Sequence, residues 1–190
     1  MDPTVYDPFV LGRFQVRLRT LELRDAARGR LFPCEVWFPV SDSAPPSSGY
    51  PLVVFSHHAG GHRRSATFLC NHLASHGYVV ASLDHSEVVA KELRRHEGET
   101  AAMREARIDA IVGSRVPDVR FLINRLLAPE ATTTGDASAE FRIDAERIGL
   151  AGHSSVVGRF LRPRRANRGY ALSWRWDPAG VTTQGLGSST

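Results

Sequence analysis

The sequence predicts an α/β fold built on a mostly parallel sheet, with an antiparallel strand pair ahead of it. Three observations carry that prediction. A short, unbroken apolar run at 52–55 and two further mostly apolar stretches at 78–83 and 147–152 read as strands buried on both faces. Segments with helical signals separate the runs, so the connections are βαβ crossovers. Ahead of them, residues 16–23 alternate apolar and polar side chains (Val16, Leu18, then Leu21, Leu23 after a slip), as an antiparallel edge strand does.

The elements follow in order. A polar turn with Gly29 spans 25–30, and 31–38 reads as the second strand, ending at Pro39. Residues 41–49 hold two prolines and four serines and form a loop. The run Leu52-Val53-Val54-Phe55 is a buried strand, and a polar loop with glycines follows it over 56–64. A helix of about a dozen residues comes next, with Phe68, Leu69, His72 and Leu73 on one side and Gly77 as its stop. A buried strand at 78–83 ends at Asp84. Residues 99–127 are largely helical, with a break or fresh start at Val116-Pro117-Asp118. The last buried strand, 147–152, runs into Gly152. Active groups in such sheets collect at the carboxyl ends of strands. Here those ends are Ser56, Asp84 and Ser154.

With 190 residues and 42% hydrophobic content the chain is of one-domain length and unlike a disordered one. The net charge of +4 is unevenly spread, because Arg159, Arg162, Arg164, Arg165, Arg168 and Arg175 crowd one stretch. Cys34 and Cys70 sit beside apolar residues and read as buried thiols of a reducing compartment. Residues 1–9 carry no apolar signal segment, and no apolar run approaches the roughly 20 residues of a membrane span. Those features make a cytoplasmic protein the expectation. His57, His58, His62 and His72 match no common zinc spacing, so no metal is expected. His76, His85 and His96 read as loop or surface residues.

Gly152-His153-Ser154 directly follows an apolar strand. A serine on a tight strand-to-helix turn needs glycine nearby, because larger side chains would collide with the flanking strand and helix. Such a turn exposes the hydroxyl and aims the following backbone N–H groups at the point of attack. Ser154 is therefore the candidate nucleophile.

Four segments taken together carry a family resemblance. Gly49-Tyr50-Pro51-Leu52-Val53-Val54-Phe55-Ser56-His57, Leu73-Ala74-Ser75-His76-Gly77-Tyr78-Val79-Val80-Ala81 and Arg147-Ile148-Gly149-Leu150-Ala151-Gly152-His153-Ser154 resemble the platelet-activating-factor acetylhydrolase and dienelactone-hydrolase-like branch of the α/β-hydrolases. Val116-Pro117-Asp118-Val119-Arg120-Phe121-Leu122 resembles the helix before the elbow strand of these proteins. The resemblance implies an α/β-hydrolase fold and Ser-His-Asp hydrolysis of carboxylic esters, with no cofactor and no metal. It implies Ser154 as nucleophile and the N–H groups of Ala59 and Ser155 as the oxyanion hole. His58 stands where the family has glycine, a point of strain if that glycine needs a positive φ. His153 is the variable residue of the elbow and reads as structural. The implied partner is a small-molecule or lipid ester. Short acyl esters, oxidised phospholipids, lactones and polyesters all stay open, and the oligomeric state is not legible.

The resemblance stops after the nucleophile. Ser155-Val156-Val157-Gly158 stands where the family has a bulky residue and two glycines, and residues 159–176 lack helical periodicity. A coding stretch TCC TTC GGT GGT, for Ser-Phe-Gly-Gly, reads Ser-Ser-Val-Val once a single T is lost, so a frame slip is one reading. Trp176-Asp177-Pro178-Ala179-Gly180 resembles the family's strand end carrying the triad acid, 23 residues after Ser154. Asp177 is then the acid, or else part of a surface Asp-Pro turn. In the family the histidine lies beyond the acid, yet no histidine follows His153 here. The expectation is one incomplete domain over 1–190 with its C-terminal strands missing: 1–155 matched, 156–176 anomalous, 177–190 a short tail. Such a chain would be nearly inactive, its parent a working esterase. Two alternatives stand beside it: a catalytically dead binding protein of this fold, and a nucleic-acid-binding module using the arginines with Trp174 and Trp176. Against the latter, the basic stretch begins where the hydrolase pattern fails, and no nucleic-acid partner is expected.

Overall fold

A computed structural model describes residues 9–41, 44–85, 94–128 and 141–153, and the backbone of 172–173, 175–177 and 180–182. β1 (Gln15–Asp25) and β2 (Arg30–Val40) form an antiparallel pair in unbroken register from Gln15↔Val40 to Asp25↔Arg30. Then come β3 (Tyr50–Ser56), α1 (Thr67–Ser75), β4 (Val79–Leu83), α2 (Ala101–Gly113), α3 (Arg115–Leu127) and β5 (Ile143–Gly152). The sheet order is β1-β2-β4-β3-β5-β6, where β6 is Leu172–Ser173. β3 pairs parallel with both β4 and β5, and β2 joins β4 antiparallel. This is the mixed sheet that the sequence predicts. β6 adds to β5 antiparallel at Gly149↔Ser173 and Leu150↔Leu172, so the outer edge of β5 is covered there. β7 (Arg175–Asp177) and β8 (Gly180–Thr182) make a separate hairpin.

Strand side chains alternate between the two faces of a sheet. Leu52 and Val54 of β3, Val79, Ala81 and Leu83 of β4, and Phe32, Cys34, Val36 and Phe38 of β2 share one core. Val119, Leu122 and Ile123 of α3 close that core, spaced as one helical stripe. Phe55, Val80 and Trp37 face the other way, onto Ala66, Cys70 and Ala74 of the α1 region. Cys34 and Cys70 are buried free thiols, and burial pushes both thiol pKa values up, that of Cys70 to about 12.

Two elements depart from expectation. α1 has nine residues, and its buried positions are Cys70, Ala74 and Ser75, while Phe68 is 78% exposed. The small side chains bring the helix close to the sheet, leaving Leu69 and Leu73 half-buried on its flanks. The break between α2 and α3 falls at Ser114, ahead of Val116-Pro117-Asp118. Pro117 thus sits in the first turn of α3, where a missing N–H costs no helical bond. Gly77 stops α1 as predicted. The Gly77 N–H reaches the Ala74 carbonyl and the Tyr78 N–H that of Leu73, a Schellman pattern with Gly77 at φ 94°. Among the described residues no helix is long and apolar enough to cross a membrane.

Candidate active site

The alternation that builds the core also places polar groups at the carboxyl edge. Counting on from Leu52 and Val54 puts Ser56 on the α3 face, and counting on from Ala81 and Leu83 puts His85 there. α3 begins with Arg115 and Asp118, one turn before its apolar stripe. Four polar side chains therefore meet at one end of the core. Asp118, Arg115 and His85 are at most 2% exposed and Ser56 is 7% exposed.

Their bonds run in one direction, because a guanidinium only donates and a carboxylate only accepts. Arg28 and Arg30 hold one Asp118 oxygen at 2.7 and 3.0 Å. His85 Nδ1 lies 2.9 Å from the other, and His85 Nε2 lies 3.1 Å from Ser56 Oγ. His85 Nδ1–H thus donates to Asp118, and Nε2 accepts the Ser56 hydroxyl proton. Ser56 Oγ accepts from Arg115 Nη1 at 3.4 Å, and the same nitrogen donates to the His57 carbonyl. Burial holds the His85 pKa below the ordinary imidazole value, against the pull of Asp118, so the ring is neutral at pH 7. Burial alone would raise the Asp118 carboxyl, but the hydrogen bonds from His85 and Arg28 and the nearby charges outweigh it and keep Asp118 ionised. Burial also lowers the Arg115 pKa to about 10, which leaves it charged at neutral pH.

The loop after β3 rests on this cluster. His57 is fully buried, and its Nδ1 lies 2.8 Å from the carbonyl oxygen of His58, so Nδ1 carries the proton. His57 Nε2 accepts the backbone N–H of His85 at 3.4 Å. The His58 carbonyl also takes the Gly61 N–H at 2.9 Å. The left-handed position of the loop is Gly60, at φ 79°. A Cβ on Gly61 would lie 2.9 Å from His58 Cε1, so Gly61 makes room for the His58 ring. The far end of the loop is tied to the other sheet face. Arg63 donates its N–H and a guanidinium nitrogen to Asp84, and Arg63 and Arg64 both reach the fully buried Glu35. Thr20 Oγ1 supplies the second Glu35 oxygen with a donor at 2.8 Å.

Ala59 is exposed at this edge, and among the described residues no partner takes its N–H. β3 and β5 stay in register through Ser56↔Gly152, and the His153 N–H reaches the Ser56 carbonyl at 3.3 Å. The loop and the segment leading to Ser154 therefore leave the sheet side by side. His58 and His153 are exposed there with ring centroids 5.4 Å apart. Ser154 and Ser155 lie outside the described residues. The backbone of Asp177 closes β7, which lies beside β5. Among the described residues no group of three or more His, Cys, Asp or Glu could hold a metal.

His85 corrects the reading of it as a loop or surface residue: it is 2% exposed and sits between Ser56 and Asp118. The available signal was its position two residues after Leu83, on the buried parity of β4. Asp118 and Arg115 gave no comparable signal, since their partners lie far along the chain. Ser56, His85 and Asp118 have the bond order of a hydrolytic triad. Ser56 is buried, however, and its oxygen already accepts from Arg115, an environment unlike that of an exposed nucleophile.

Residues 30–113, from β2 through α2, match the family platelet-activating factor acetylhydrolase, isoform II. A ferulic acid esterase from Streptomyces cinnamoneus is 29% identical, with a TM-score of 0.54 over 76% of this chain and 53% of that one. The chain thus spans about half the length of that esterase. A Klebsiella pneumoniae subsp. pneumoniae protein described as a dienelactone hydrolase is 15% identical, over 74% of this chain and 51% of that one, with a TM-score of 0.48. The fold of this chain and its match over 30–113 place it in the α/β-hydrolase superfamily, similar over that stretch to the platelet-activating-factor acetylhydrolases.

Proposed function

We propose that this chain carries the nucleophile and the oxyanion side of a serine hydrolase that cleaves carboxylic esters. The observation that carries the reading is the pairing of β3 with β5 through Ser56↔Gly152, which sets the loop holding Ala59 beside the segment leading to Ser154. Ser154 Oγ attacks the ester carbonyl, and the N–H groups of Ala59 and Ser155 receive the oxyanion. The tetrahedral intermediate collapses, the alcohol leaves with a proton, and water releases the acid from the acyl-serine. Asp177 is the acid that orients a histidine base. None of the eight histidines follows His153, so these 190 residues supply no base after the acid. Assayed alone, the chain turns esters over only at the residual rate that binding and the oxyanion hole provide.

Chemical rescue tests this. The likeness to a ferulic acid esterase makes aromatic acyl esters worth assaying beside short acyl esters. With p-nitrophenyl acetate and methyl ferulate, hydrolysis by the 190-residue chain is expected to be slow and to rise when free imidazole supplies the base. Ser154→Ala is expected to bring that rise down to the protein-free background. A rate indifferent to Ser154→Ala contradicts the reading.

A further inference from the structure

The buried relay is more than a filler of the core end, because its His85 ring packs 5.0 Å from the ring of His57, which holds one peptide group of the loop. In a trans peptide the carbonyl and the N–H point in opposite directions. The carbonyl of His58 and the N–H of Ala59 belong to the same peptide. Whatever fixes the His58 carbonyl therefore aims the Ala59 N–H. His57 Nδ1–H does so from below at 2.8 Å and the Gly61 N–H does so from within the loop at 2.9 Å. The His57 ring acts as such a donor only in the Nδ1–H tautomer, which the His85 backbone N–H selects by occupying Nε2. The preceding peptide is held separately, through Arg115 on the His57 carbonyl.

We propose that the Asp118–His85–Ser56 relay, together with Arg115, positions the oxyanion loop: it seats His57 in one tautomer and orientation and thereby aims the Ala59 N–H. His85 and Ser56 are then positioning residues, not catalytic ones, and the inference rests on the reading of Ala59 as an oxyanion donor. The arrangement suits that task. Asp118 is anchored by Arg28 and Arg30 of the β1–β2 hairpin, so the relay ties the loop to a rigid strand pair. Its opposite end is tied by Arg63 and Arg64 to Glu35 and Asp84. A loop fixed at both ends presents its N–H without reorganisation when charge develops, which is what an oxyanion donor requires.

Two variants of the full chain test the proposal. Ser56→Ala removes only the hydroxyl; His85→Asn keeps a donor near Asp118 but cannot reach Ser56. The readouts are hydrogen exchange over 57–64 and the ring ¹⁵N shifts of His57, neither of which depends on turnover. We expect exchange over 57–64 to rise at least tenfold in Ser56→Ala, with α1 and β4 unchanged, and the ring ¹⁵N shifts of His57 to move. The imidazole-rescued ester rate is expected to fall in parallel. Unchanged loop exchange and His57 ring shifts in Ser56→Ala, or a rise shared equally by α1 and β4, overturns the proposal. The ester reading fails separately, if Ser154→Ala leaves the rescued rate intact while the loop responds as expected.

Discussion

At the scale of single residues, the polar groups at the carboxyl edge are governed by where burial leaves their protons. His57 is the clearest case. Its burial, outweighing the bond to the His58 carbonyl, lowers its pKa from the ordinary 6.5 to about 4. On acidification the unfolded chain takes up that proton first, so the folded state loses ground as pH falls from about 6.5 to about 4. At about 1.4 kcal/mol for each pH unit, the interval removes about 3 kcal/mol, fully regained above pH 7. The lowered His85 acts in the same sense. The lowered carboxyls of Asp25, Glu99, Asp118 and Asp144 add losses as pH falls through the usual carboxylate range and below it. Denaturant unfolding at pH 7 and pH 5 checks this. His57→Gln is expected to show a shallower pH dependence than the parent chain over that interval. Parallel curves for the two would mean that His57 is not neutral in the fold.

At the scale of elements, sheet parity and helix ends do most of the placing. Gly77 shows how closely an end is specified. It closes α1 at φ 94°, and a Cβ there would lie 3.1 Å from Phe14 Cε2. Gly77→Ala is expected to cost about 1–2 kcal/mol in denaturant unfolding, since an L side chain in the left-handed region is strained. A neutral substitution would mean that the end of α1 relaxes without its cap. This stop was legible in the sequence, as were the succession of strands and helices along the chain, the edge role of β1 and the buried cysteines. Each is a local signal: a glycine after an apolar run, an alternation, an unbroken apolar stretch. The buried face of α1 was not legible, because Phe68, Leu69 and Leu73 outweigh Cys70 and Ala74 in any hydrophobic pattern. Only contact with Trp37, Phe55 and Val80 decides which side goes inward.

At the scale of the whole molecule, the site is assembled from pairings that sequence spacing does not show. Arg28 and Asp118 are brought together by the β1–β2 hairpin and the start of α3, and Glu35 meets Arg63 and Arg64 across the sheet. A histidine after a strand end reads as a loop residue until those partners are present, which is why His85 escaped the sequence reading while Ser56 and Asp84 did not. Two serines are then candidates for the reacting group. Ser56 is buried within a complete Ser-His-Asp relay, and Ser154 follows Gly152 and His153 in the sequence, just past the end of β5. We assign the first to positioning and the second to attack. Phosphonylation separates the two most directly. In that reaction a fluorophosphonate forms an O–P bond with a nucleophilic serine and loses fluoride. Treatment of the chain in the presence of imidazole, followed by peptide mapping, should place a single adduct on Ser154 and none in Ser154→Ala. An adduct on Ser56 would make the buried relay the reactive centre and contradict the account.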